Sequence, residues 1–184
     1  QEAVNVPAKK GGKRGGRKGV ELWLRLDSTE MVLDRPPFVP DKFLLNLDNR
    51  MMRSAGQIKR FLGRNMRSVI WALPPVVTDA GMDRLQKNVS ILIRTGFRSF
   101  QVAHLSQIAL FDREKVILYG DFTLNLMNSE AMSMASRFDI AGMQAAIELD
   151  RKGLQQAVEG YRHHGADPER DSAVDRRARV GMTV

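Results

Sequence analysis

The stretch "SVIWALPPVVTDAGMDRLQKNVSILIRTGFRSFQVAHLS", Ser68–Ser106, decides the fold. It opens on an almost unbroken apolar run, Ser68–Val77, closed by Pro74 and Pro75. A run apolar on both alternating faces reads as a strand covered on each side. Thr78 or Asp79 then stands where a helix cap is needed. Met82, Leu85, Val89, Leu92 and Ile93 recur at helical spacing, and Gly96 supplies a stop. "FRSFQVAHLS" returns to a strand pattern. Two covered strands joined by a helix make a parallel pair, because the crossover needs a connection of that length.

Working outward, the same unit recurs. "VELWLRLDS" alternates as a strand, and "TEMVLDR" makes a helical turn that Pro36–Pro37 stop. Lys42–Asp48 is a second strand. The helix behind it carries Met51, Met52, Ala55, Ile58, Phe61 and Leu62 on one stripe, with Gly63 near its end. Beyond Ser106 come a weak turn, "QIALF", and a strand, "KVILYGDFTLN". A short helix capped by Ser129, a strand "IAGMQAAIELD" and a helix "RKGLQQAVEGYRHHG" follow. The ten methionines fall largely on helix stripes and read as core.

Strand and helix in alternation predict an α/β protein with a parallel sheet. No glycine-rich phosphate loop follows the first strand, so a dinucleotide-binding sheet has no support. Residues 20–162 fall well short of the about 250 residues of a complete barrel. The expectation is a partial (β/α)8, TIM-like barrel of about six βα units. Residues 163–184 form a charged loop and the start of a further strand, "RVGMTV". A chain that opens on Gln1 and stops on a strand reads as a piece of something longer. An incomplete barrel also leaves open sheet edges, through which self-association is expected.

The bulk composition narrows the class. The 184 residues, 43% of them hydrophobic, suit one domain with a real core. No apolar run reaches the about 18 residues of a membrane span, and no signal peptide opens the chain, so a cytoplasmic protein without membrane contact is expected. There is no cysteine, which excludes disulfides, a thiol nucleophile and thiolate-held clusters within this chain. The net charge of +8 sits mostly in "KKGGKRGGRKG". Residues 1–19 read as a disordered basic linker, with Lys9–Lys18 a candidate nucleic-acid contact.

In βα folds the functional face lies at the carboxyl ends of the strands. Those ends give Arg25, Asp27 and Ser28, then Asn46 and Asp48, then Gln101, His104 and Ser106, then Asp121 and Asn125, and finally Glu148 and Asp150. Asp27, Asp48 and Asp150 each also stand where a carboxylate caps the next helix. His104 is the one histidine at a strand end. No spacing encodes a metal site, and Ser106 lacks a G-x-S-x-G elbow. Gly120 permits close approach or a sharp turn ahead of Asp121.

At "YGDFTLNLMNSEAM" the chain resembles the G-D-[FY]-[ST]-L-N-x-x-N-S signature of peptidase family U thirty-two, the collagenase-like peptidases, through Gly120, Asp121, Leu124, Asn125, Asn128 and Ser129. "GMQAAIELD" is similar to the family's strand ending in a glutamate, and residues 20–184 resemble the C-terminal part of the barrel region of larger bacterial members. The resemblance implies a β/α barrel and a peptidase of no established catalytic type, acting on peptide. Other members take part in RNA hydroxylation, with prephenate and an iron–sulfur cluster held by cysteines further along; here that cluster would have to come from a longer parent. It implies Asp121, Asn125 and Glu148 as catalytic candidates. Rim position adds His104 as catalytic and Asp48 as substrate-binding, with Asp27 at a strand end and Asn128 in the signature as further substrate-binding candidates. Three readings stay open: peptidase, RNA-modifying enzyme or accessory, and non-catalytic binding or scaffold domain.

Overall fold

The computed structural model describes residues 21–33, 40–112, 114–164 and 179–181. The basic stretch of residues 1–19, Pro36–Pro37 and most of the charged loop in 163–184 lie outside the described residues. The chain runs β1 (Trp23–Leu26), α1 (Thr29–Leu33), β2 (Lys42–Asn46), α2 (Asn49–Leu62), a 3-10 turn (Gly63–Ser68), β3 (Val69–Ala72), α3 (Asp79–Thr95) and β4 (Ser99–Val102). It continues through a second 3-10 turn (Leu105–Phe111), β5 (Ile117–Gly120), a third 3-10 turn (Phe122–Leu124), α4 (Ser129–Ser136), β6 (Ile140–Gln144), α5 (Arg151–His164) and β7 (Arg179–Gly181).

All neighbouring strands pair in parallel, and their order in space is their order in the chain. That order separates the two ways of closing an α/β sheet. A doubly wound sheet reverses its strand order once; here there is no reversal, so same-handed crossovers put every helix on one face and the sheet curls. The result is a partial α/β barrel, as the alternating pattern predicts. One unit departs from strand-then-helix: β4 and β5 are joined by a 3-10 turn, where "QIALF" promised only a weak turn.

The two faces of the sheet differ in what they bury. On the convex face Leu26, Leu45, Trp71, Phe100 and Met143 alternate along their strands and pack with Met51, Ile58, Val89, Leu92 and Met132 from the helices. On the concave face a small second cluster joins Leu44, Ile70 and Ala72, with Trp23 and Tyr119 packed on it. Trp23 on β1 meets Tyr119 on β5 edge to face, ring centroids 5.0 Å apart. Strands four places apart in the sheet order touch only if the sheet bends round on itself, so this ring pair marks the curl.

The helix ends follow local chemistry. Asp48 accepts from the Met51 N–H at 2.7 Å, and Gly96 closes α3 in the left-handed region at φ 111°. Thr78 is the cap residue of α3 but its hydroxyl makes no capping bond. The methionine and helix-stripe expectations hold in part: Met51, Met132 and Met143 are buried, whereas Met127, Met134 and Phe61 are exposed. Among the described residues no helix is long and apolar enough to cross a membrane.

Candidate functional site

At the carboxyl ends of the strands the concave face turns polar. Arg25 and Asn46 lie one step further along β1 and β2 than the apolar inner cluster, and Asp121 follows the last residue of β5. The Arg25 guanidinium donates through Nε to Asn46 Oδ1 at 3.0 Å and faces Asp121 Oδ2 with Nη2 at 3.8 Å. Asn46 in turn donates through Nδ2 to Asp27 Oδ1. One chain of contacts thus runs from Asp27 through Asn46 and Arg25 to Asp121, spanning β1, β2 and the end of β5.

Asp121 is the buried member, 3% exposed, among partners that reach solvent. Its backbone N–H donates to Val102 O at 2.8 Å, which prolongs the β4–β5 ladder by one bond. Its Oδ1 accepts the Phe122 N–H at 2.7 Å and starts the 3-10 turn. Burial raises the Asp121 carboxyl above the usual carboxylate range, because water is removed from its charged form; the Phe122 N–H and the Arg25 charge oppose this and do not cancel it. Gly120 serves close packing: a Cβ there would lie 2.7 Å from Leu124 Cδ1. A register shift between β5 and β6 falls at Leu118/Tyr119, two residues before Asp121, where bulges commonly re-aim side chains.

The other candidates are spread along the rim. The strand expected over "KVILYGDFTLN" stops at Gly120, so Asn125 closes the 3-10 turn from the left-handed region, at φ 56°, and is exposed. Asn128 caps α4 by accepting the Ala131 N–H at 2.8 Å; the cap expected at Ser129 is one residue earlier. The strand expected over "IAGMQAAIELD" stops at Gln144, so Glu148 stands in the turn before α5 and is exposed. Asp150 accepts the Gly153 N–H at 2.6 Å. His104 caps the 3-10 turn Leu105–Phe111, with Nδ1 accepting the Ser106 N–H at 3.2 Å and lying 2.8 Å from Ser106 Oγ. Among the described residues no three His, Cys, Asp or Glu side chains gather to hold a metal ion.

Asp48 is a candidate whose two roles separate cleanly. Asp48→Ala is expected to cost about 1 kcal/mol by removing the cap, while Asp48→Asn keeps an acceptor and stays near wild-type stability in thermal melts. A ligand-binding loss shared by both variants would belong to the charge and not to the helix.

Arg25 and Asn46 stand among the strand-end residues of the sequence, yet neither is among its catalytic or substrate-binding candidates. Asn46 is a neutral amide and Arg25 sits before the end of its strand; only the curl of the sheet brings Arg25 to Asp121. Gln101 was passed over likewise. It is 1% exposed on the inner side of β4, donates to Gln144 Oε1 at 2.9 Å, and leaves its own Oε1 without a partner.

No family model matches the sequence, and no curated protein does. Among solved structures the chain is similar to the U32 peptidase Mk0906, with a TM-score of 0.60 and 13% sequence identity over 86% of this chain and 70% of that one. At that identity the likeness is one of fold: it supports a distant U32-like barrel and does not place the chain in that family.

Proposed function

We propose that this chain carries the site of a U32-like peptide hydrolase in which Asp121 is the acid–base group. The observation that supports this best is the buried Asp121 carboxylate facing Arg25 at the carboxyl end of the curled sheet. A carboxylate held above its usual pKa range retains a proton more readily, which suits a group that must both take and give one in general acid–base chemistry on an amide. In this reading Asp121 takes the proton of a water attacking the peptide carbonyl, and returns it to the leaving amine. Arg25, half in solvent, offers its guanidinium to the oxygen on which negative charge develops. Asn46 and Asp27 hold Arg25 in place, and Asn125 and Glu148 approach the substrate from the β5 and β6 loops. The fold likeness to a solved U32 peptidase supports the same reading.

The pH profile tests it. Asp121 must be deprotonated to act as base, so a raised pKa moves the acid limb of kcat/KM upward. Arg25 lowers that pKa, so Arg25→Met is expected to push the limb to still higher pH, as well as lowering the rate. The measurement is kcat/KM for a quenched fluorogenic peptide across pH. An acid limb unmoved in Arg25→Met would remove Asp121 from the role of base.

A second reading, RNA as the substrate, is favoured by the basic stretch Lys9–Lys18. It predicts RNA binding that falls steeply with salt and no peptide turnover, and the same preparation can be assayed for both.

A further inference from the structure

Four large apolar side chains stand exposed on the connections that leave four consecutive strands. Val76 follows β3, Leu105 follows β4, Met127 follows β5 and Ile147 follows β6. Val76 is 83% exposed and Ile147 69%. Their strands are neighbours in the sheet, so the four form a crescent along one side of the rim. The connections are tied together: Gln107 donates to Pro74 O at 2.8 Å, and the Thr123 hydroxyl donates to Ala103 O at 2.9 Å. On the β1 and β2 side the matching positions differ. There Leu47 and Thr29 are buried, and Asp27, Asn46 and Arg25 face outward and across. Each connection from β3 to β6 thus carries one exposed apolar side chain, set among the polar residues His104, Asn125, Asn128 and Glu148, with Asp121 at the end of β5 within that stretch.

Resting on the peptide-hydrolase reading, we infer that the crescent is the subsite for apolar side chains of an extended peptide. Three observations select that occupant. The crescent is continuous with the proposed site, since Met127 and Asp121 share the β5 connection. Four aliphatic side chains, two of them less than half exposed, fall well short of the about 800 Å² per partner of a standard protein interface, which favours a peptide over a second copy. Single apolar side chains, one per loop, match a chain that offers a side chain at every second residue, and not a continuous flat surface.

The test is fluorescence anisotropy on the full chain, read before turnover, with two labelled octapeptides of equal charge: alternating leucine and lysine, and alternating serine and lysine. Wild type is expected to bind the leucine peptide at least about 10-fold more tightly than the serine peptide. Val76→Ser and Ile147→Ser are each expected to weaken the leucine peptide about 5- to 10-fold and to leave the serine peptide unchanged. Both positions are exposed, and a melting curve on each variant checks the fold; Leu105→Ser is the alternate if either unfolds. Cleavage with no preference between the peptides, or variants that bind as wild type, would overturn the apolar subsite while leaving the hydrolase reading intact. Neither peptide bound nor cleaved would overturn both. A dimer in sedimentation that Ile147→Ser dissolves would overturn the peptide as occupant in favour of a second copy.

Discussion

Asp121→Asn is expected to lower kcat/KM for peptide hydrolysis by about 10²–10⁴-fold, the range for loss of a positioned acid–base group. The substitution is close to isosteric. An asparagine oxygen still accepts the Phe122 N–H, and the Val102 ladder bond involves only the backbone. What disappears is a buried carboxyl able to exchange a proton, so a rate loss without a large drop in melting temperature is the signature. The arrangement also grades the neighbours. Glu148→Gln changes an exposed side chain in the turn before α5 and is expected to cost less than Asp121→Asn. If Asp121→Asn retained full kcat/KM in an active preparation, the proton would have to be handled elsewhere, with Glu148 and His104 the next groups to replace.

The largest effect on stability is expected at Trp71. Its side chain is fully buried between β3 and the helices, edge to face with Phe97 at 5.3 Å between centroids. Trp71→Ala is expected to cost about 3–5 kcal/mol, from lost apolar burial and the cavity left behind. For a chain of this length each kcal/mol corresponds to about 2–4 °C, so the midpoint should fall by roughly 6–20 °C. Trp71→Phe should cost much less. The Trp71 Nε1–H is buried without a hydrogen-bond partner, so removing it breaks no bond and lifts a desolvation penalty. Equal losses for alanine and phenylalanine in chemical denaturation would show that an unseen bond, and not packing, holds the indole.

Much of the fold was readable because its signals are local. Continuous apolar strands, the α3 stripe ending in Gly96, and the Asp48 cap depend on residues a few positions apart. Strand ends were less readable. "KVILYGDFTLN" and "IAGMQAAIELD" keep apolar residues past the last ladder bond, since Leu124, Leu126 and Ala146 pack from turns and not from strands. Asn128 and Ser129 are both good caps, and sequence alone does not choose between adjacent ones. His104 as a cap was unreadable, because imidazole seldom takes that place. Asp121 stood out by its position behind an apolar run. Its partner Arg25 did not, because their meeting depends on the curvature of a whole sheet.

The meeting of β1 with β5 also fixes when the site can exist. Arg25 and Asp121, like Trp23 and Tyr119, are separated by roughly a hundred residues of chain. Contacts of such long sequence separation form late, after the loop-closure entropy of the intervening units has been met by their own packing. Neighbouring strands such as β3 and β4 can pair around α3 well before that. During folding, then, Arg25 and Asp121 come together only when the first strand docks against the fifth, and a half-folded chain lacks their contact.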